Sequence, residues 1–157
     1  MSAITPCLWF DDQGEEAANF YVSLVPNSSV TGLTRRDASH PDRAGQVLTV
    51  ELLLDGRPYT FLNGGPEFSL DEAFSLQVSC ADQAEVDRYW DALIADGGEE
   101  SRCGWCKDRF GVSWQVVPEA LPRLLADPDP ARAARAMQAM FGMKKLDVAA
   151  LEAAAAG

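Results

Sequence analysis

Along Ser101–Pro118, SRCGWCKDRFGVSWQVVP, the apolar positions Val112, Trp114 and Val116 interleave with Ser113, Gln115 and Val117. That period of two marks a strand with two distinct faces. Arg102–Cys106 predicts a short strand before it, whose glycine lets another part of the chain come close. Lys107-Asp108-Arg109-Phe110-Gly111 supplies the turn between them. The same reading applied from the N-terminus predicts a strand over Ile4–Phe10 and a helix over Glu15–Leu24. Strands over Ser28–Arg36, Gln46–Leu54 and Pro58–Asn63 follow, with Asp55-Gly56 as a hairpin turn. In the helix, Ala17, Phe20, Tyr21 and Leu24 recur at helical spacing on one face.

The second half repeats this plan. A strand over Ala73–Cys80 precedes a helix over Gln83–Asp96 whose stripe is Val86, Tyr89, Trp90 and Leu93. A shift of 69 positions superimposes the two stripes, and the same shift lays Pro6, Leu8 and Phe10 on Ser75, Gln77 and Ser79. With a strand before each helix and a hairpin after each, the pattern predicts a duplicated βαβββ module. The fold class is therefore α+β, with modules at residues 1–66 and 67–120 and a helical extension at 121–157, together one integrated domain. In the extension, Asp127-Pro128-Asp129-Pro130 predicts a capped helix start. Ala131–Phe141 is its body, with Ala133, Met137, Met140 and Phe141 as the apolar side, and Asp147 caps a last helix. A methionine-lined face outside the repeat needs apolar surface to cover, and a second copy of the chain would supply it. A homodimer is expected.

Charge removes some classes of partner. The formal net charge is -11, from 24 acidic and 13 basic residues, and Arg35-Arg36 and Lys144-Lys145 are too short to make a basic patch. Neither nucleic acid nor an anionic membrane is expected as a partner. No apolar run approaches the ~20 residues that span a bilayer, and the N-terminus lacks a signal-peptide pattern, so a cytoplasmic location is expected. Cys7 and Cys80 sit in apolar strands. Cys103-Gly104-Trp105-Cys106 has redox spacing, but it falls in a hairpin rather than at a helix N-terminus, where thiols are activated. A structural role is the expectation, with thiol-redox chemistry as the competing reading.

Three stretches, CLWFDDQGEEAANFYVSLVPNS, FLNGGPEF and CGWCKDRFGVSWQVVP, together with DPDPARAARAMQAMFGMKKLD, resemble the PhnB-like branch of the vicinal-oxygen-chelate superfamily, the glyoxalase and bleomycin-resistance proteins. Some members of that branch carry the label 3-demethylubiquinone-9 3-methyltransferase. The resemblance implies paired βαβββ modules that form a curved mixed sheet around a cavity. It also implies, for the superfamily at large, a divalent metal held by His and Glu. Carried onto this chain, the ligand positions fall near Pro6, at Thr60 to Asn63, at Ser75 and at Gln115. None of these is a good first-shell donor. Glu51 is the one strand carboxylate, and His40, the sole histidine, lies in a polar loop and reads as a surface residue. No metal and no cofactor are expected, and no glycine-rich strand–loop–helix for S-adenosylmethionine is present.

What replaces the metal set is neutral: Asn63, Ser75, Gln77 and Gln115, beside Leu8 and Phe10, with Trp105 as an aromatic wall. Two readings stay open. The amides either bond to one another and tie the modules together, or they orient a small ligand in an apolar cleft. The expectation carried forward is a metal-free protein that binds an unidentified small molecule. The alternative is a superfamily enzyme, metal-dependent or of the methyltransferase-labelled kind, acting on a small metabolite.

Overall fold

The structure, a computed structural model, describes residues 4–39 and 41–157; His40 lies outside the described residues. The chain divides into two compact units, the division falling between Leu70 and Asp71.

In the first unit, β1 (Cys7–Phe10) leads to α1 (Gly14–Leu24), β2 (Ser29–Arg35), β3 (Val47–Leu54) and β4 (Arg57–Asn63). The strands lie in the order β1-β4-β3-β2, with β1 parallel to β4 and the other pairs antiparallel. β1 begins at Cys7 and not at Ile4, because Pro6 has no N–H to give to a ladder; its carbonyl still accepts from the Thr60 N–H at 3.0 Å. Asp55 and Gly56 turn β3 into β4 with φ of 48° and 71°, the two-residue turn that matches strand twist. Alternation then divides the sheet. Leu8, Phe10, Val50, Leu52, Leu54 and Phe61 are buried on the face that α1 covers with Ala17, Ala18, Tyr21 and Leu24. The Phe61 ring lies 5.0 Å from Phe10 and 5.7 Å from Tyr21, both centroid to centroid. Cys7, Trp9, Glu51, Thr60 and Leu62 share the opposite, open face by register.

The second unit repeats the plan with β5 (Ser75–Cys80), α2 (Gln83–Ile94), β6 (Glu99–Glu100), β7 (Trp105–Lys107) and β8 (Ser113–Pro118), in the order β5-β8-β7-β6. Here β5 is parallel to β8. The two-residue β6 completes the module and carries no periodicity that a sequence could display. Asp82 caps α2 by accepting from the Glu85 N–H at 2.9 Å, while Glu85 accepts from the Ala81 N–H at 2.8 Å, so two helix-start donors are satisfied reciprocally. The β7–β8 turn is built on Asp108, 3% exposed. One carboxylate oxygen accepts from the N–H groups of Phe110 and Val112, at 2.9 and 3.1 Å, and the other from the Trp114 indole at 2.8 Å.

Three further helices, α3 (Ala120–Leu125), α4 (Pro130–Phe141) and α5 (Val148–Ala156), belong to this unit. Asp129 and Asp147 cap α4 and α5 as their sequence predicts. The helices pack within their own unit. Ala120, Leu121, Leu124, Ala136, Leu146, Leu151 and Ala155 form a buried cluster, and Gln83 of α2 donates to the Leu146 carbonyl and accepts from the Val148 N–H. Leu146 also explains Gly104: a Cβ there would stand 2.9 Å from the Leu146 side chain and from the Val116 carbonyl, on a residue with φ of +84°. The close approach expected at this glycine is that of the α4–α5 link, whose Met143 and Lys144 carbonyls accept from the Cys103 and Gly104 N–H groups. On α4 the inward residue is Ala136, while Met137 and Phe141 stay 42% and 56% exposed. Among the described residues no helix is long and apolar enough to cross a membrane.

Replacing Asp108 with Ala leaves three donors without their acceptor, one of them a buried indole. The loss is expected to be on the order of 3 kcal/mol, read as a lower denaturant midpoint at unchanged slope. A loss below about 1 kcal/mol would show that the turn is held by other means.

Candidate functional site on the open face of the second sheet

Parallel pairing of β5 with β8 sets Ser75 beside Ser113 and Gln77 beside Gln115, while Trp105 and Lys107 of β7 lie opposite Gln115 and Ser113. Glu99 of β6 lies opposite Lys107. In a strand, residues two apart share a face. These seven therefore share the face away from α2, whose Val86, Tyr89, Trp90 and Leu93 are buried on the side of Leu76, Cys80, Cys106, Trp114 and Val116.

Of the seven residues singled out from the sequence, the fold gathers four here: Ser75, Gln77, Trp105 and Gln115. Gln115 donates its amide N–H to the Ser75 hydroxyl at 2.9 Å, which fixes both side chains, and Gln77 stands exposed beside them. Leu8, Phe10 and Asn63 are placed otherwise. They belong to the first unit and to the face under α1, where Leu8 and Phe10 are 2% and 4% exposed. Asn63 accepts from the Gly14 N–H at 2.8 Å and donates to the Val47 carbonyl at 3.1 Å. It is a tie within one module, between the end of β4, the start of α1 and β3.

Four further residues join the site: Lys107, Glu72, Ser113 and Glu99. Lys107, which the sequence places in the turn, ends β7 and pairs with Glu72 at 2.5 Å. That pairing holds the Glu72 carboxyl below its usual range and the Lys107 ammonium above its own. Both groups are solvated, so the pair orients charge more than it stabilises. Ser113 is 2% exposed, and its hydroxyl is buried with no hydrogen-bond partner among the described residues. Trp105, Lys107, Ser113, Glu72 and Glu99 line a recess of about 110 Å³ together with neighbours on β6 and β7. The alternation Val112, Trp114, Val116 against Ser113, Gln115 was the signal that could have placed Ser113. A buried hydroxyl without a partner costs stability, and this residue lines the recess.

The residues do not fit a divalent metal. Ser75 and Gln115 already bond to each other, and hydroxyl or amide oxygens are weak donors for zinc, iron or nickel. Glu51 faces the open side of its sheet, as one carboxylate opposite Thr60. Among the described residues no three of His, Cys, Asp and Glu converge.

Cys106 faces α2, not Cys103, and Cys103 sits at φ of 56° in the preceding turn. Burial, and then the neighbouring Asp108 charge, pushes the Cys106 thiol up to about 12; burial, with Glu85 next, does the same to Cys80. Such thiols are poor nucleophiles.

A family model described as 3-demethylubiquinone-9 3-methyltransferase matches residues 2–117, about three-quarters of the chain. The family match and the fold place the chain in the vicinal-oxygen-chelate superfamily, with the glyoxalase/bleomycin-resistance fold. Within it, the chain belongs to the PhnB-like, 3-demethylubiquinone-9 3-methyltransferase-labelled family. It is 30% identical to the PhnB protein of Bacillus cereus, over 74% of this chain and 99% of that one, with a TM-score of 0.68. Protein PA1353 of Pseudomonas aeruginosa shares the fold at 20% identity and a TM-score of 0.61, over 76% and 98% of the two chains. The fosfomycin resistance protein FosX of Listeria monocytogenes shares it at 17% and 0.52, over 78% and 94%. No curated protein sequence matches the chain. The family match ends at Val117, so α3, α4 and α5 lie beyond it, and the segment DPDPARAARAMQAMFGMKKLD is not part of what ties the chain to the family.

The two buried thiols keep their protons above the ordinary thiol value of 9.0. Their contribution to stability is therefore complete below about pH 9 and is lost as the pH rises toward about 12. Titration of the native protein with a thiol reagent near pH 8 is expected to label Cys7 and Cys103 readily, and Cys80 and Cys106 only on unfolding. Rapid native labelling of Cys106 would revive the redox reading.

Proposed function

We infer that the protein binds a small, neutral, oxygen-bearing molecule on the open face of the second sheet, and that it does so without a metal. The observation that carries this reading is the buried, partnerless Ser113 hydroxyl, beside Ser75 of the Gln115–Ser75 pair and lining one recess with Trp105. Ser113 offers a donor and an acceptor, Gln77 and Gln115 offer amides, and Trp105 offers an apolar plate. A few convergent polar groups against an aromatic wall are what orient a small ligand. Ligation by His and Glu, the route of the superfamily's metal enzymes, has no counterpart in the donors at the matched positions.

A methyl transfer from S-adenosylmethionine is not part of this reading. The strand–helix turns, Asp11-Asp12-Gln13 after β1 and Ala81-Asp82 after β5, contain no glycine, and so lack the close backbone approach that a nucleotide-type cofactor uses. The reading includes a homodimer, for which the exposed Met137 and Phe141 of α4 are the candidate contacts.

A thermal-shift screen against a library of small carbonyl and hydroxyl metabolites, run with a chelator present, tests this directly, since a ligand of the folded state raises its melting temperature. At least one compound is expected to stabilise the native protein. It should lose most of that effect on Gln77→Leu and on Ser113→Ala, while both variants keep a ligand-free stability within about 1 kcal/mol of the parent. Hits that act equally on the parent and on both variants, or that need an added divalent ion, would contradict the proposal.

A further inference from the structure

The FLNGGPEF segment plays no part in the site above, yet it closes a different cavity in the first unit. Gly65, at φ of +103°, gives its carbonyl to the Trp9 indole at 2.8 Å and its N–H to the Asp11 carbonyl at 3.1 Å. The Gly64 Cα passes so close over Trp9 that a Cβ there would stand 2.2 Å from the indole ring. The two glycines thus fold the end of β4 flat against β1. Beside them a cavity of about 480 Å³ opens between the start of α1 and the end of the β2–β3 pair, with Asn63 and Val47 among its lining residues. This size is ordinary for a small-molecule site.

Three guanidiniums and three carboxylates line it: Arg35, Arg36 and Arg43, with Asp11, Asp12 and Glu15. Among the described residues these six make no ion pair with one another or with any other group, whereas every lysine of the chain is paired. The arginines are nevertheless held in place. Arg36 donates to the Asn63 carbonyl at 2.7 Å, and Arg35 to the Gly45 carbonyl at 3.0 Å. Arg43 reaches toward Gly65, its guanidinium 3.7 Å from where a Cβ would be. Contacts to neutral carbonyls fix a guanidinium without neutralising it, and leave other N–H groups free for a planar or tetrahedral anion.

In a chain of net charge -11, three unneutralised arginines at one cavity form a local exception to the acidic field. A simple anion drawn to them would also meet three carboxylates in the same space. A molecule with separated charges meets neither penalty. We propose that this cavity binds a small zwitterion, with a carboxylate or phosphate at Arg35, Arg36 and Arg43 and an ammonium toward Asp11, Asp12 and Glu15. The site is independent of the open face of the second sheet.

The test is an NMR titration of the intact, isotope-labelled protein with β-alanine and O-phosphoethanolamine, against propionate, inorganic phosphate and ethylamine as single-charge controls. At least one zwitterion is expected to move the Gly14, Gln46 and Gly65 amide signals and to bind at least tenfold more tightly than its singly charged counterpart. Which of the two does so identifies the anionic head group. Arg43→Gln, which removes no hydrogen bond of the fold given above, should weaken zwitterion binding about tenfold, equivalent to roughly 1.4 kcal/mol. Asp12→Asn should weaken the zwitterion but not propionate or phosphate. Equal binding of the single-charge controls, unchanged affinity in Arg43→Gln, or no movement of these signals with any probe would overturn the proposal.

Discussion

In each unit the first strand lies parallel to the last, β1 with β4 and β5 with β8, and the functional geometry hangs on that pairing. It needs a crossover, which the module's helix and the two strands after that helix provide. It also fixes, residue by residue, which side chains pass under the helix and which stay open. In the second unit this register buries Leu76, Trp114 and Val116 and sets Ser75, Gln77, Ser113 and Gln115 together on the other side. A slip of one residue would exchange the two sets entirely. Burial of the apolar set, at roughly 25 cal/mol per Å², is what makes such a slip unfavourable.

In each unit one buried polar residue secures the end of a strand. Asp108 gathers three donors at the β7–β8 turn, and Asn63 joins the end of β4 to α1 and β3. Each satisfies backbone groups that the ladder leaves over, which is the condition for burying polar atoms at all. Ser113 is the exception, with no such partner. Among the described residues, the difference separates the polar groups that build the fold from one whose hydrogen bonding the fold leaves incomplete.

Much of the architecture was legible because periodicity and turn chemistry are local. The helix stripes, the Asp55-Gly56 turn and the capping roles of Asp129 and Asp147 all follow from residues a few positions apart. The two-residue β6 and the six-residue α3 were not legible, since neither is long enough to show a period. The candidate site was legible for Ser75, Gln77, Trp105 and Gln115, which lie on strands whose alternation is clear. It failed for Leu8 and Phe10 through a single residue. The shift of 69 aligns the helices, Gly14 with Gln83, but three residues separate β1 from α1 and two separate β5 from α2. Phe10 therefore corresponds to Cys80, not to Ser79, and the strand faces are the reverse of what the helix alignment implies. For Asn63 the sequence leaves a pocket role and a tie both open, and only its partners Gly14 and Val47 show it as a tie within its own module.

The proposed ligand lies on the open face of the second sheet with no metal between. Indole N–H signals report it well, because Trp105 lies on that face whereas Trp90 and Trp114 lie on the helix side. In a titration of chelator-treated, isotope-labelled protein with a stabilising metabolite, the account predicts that the Trp105 indole signal moves while those of Trp90 and Trp114 hold still. Movement confined to Trp90 or Trp114, or a Trp105 response that appears only after a divalent ion is added, would contradict it.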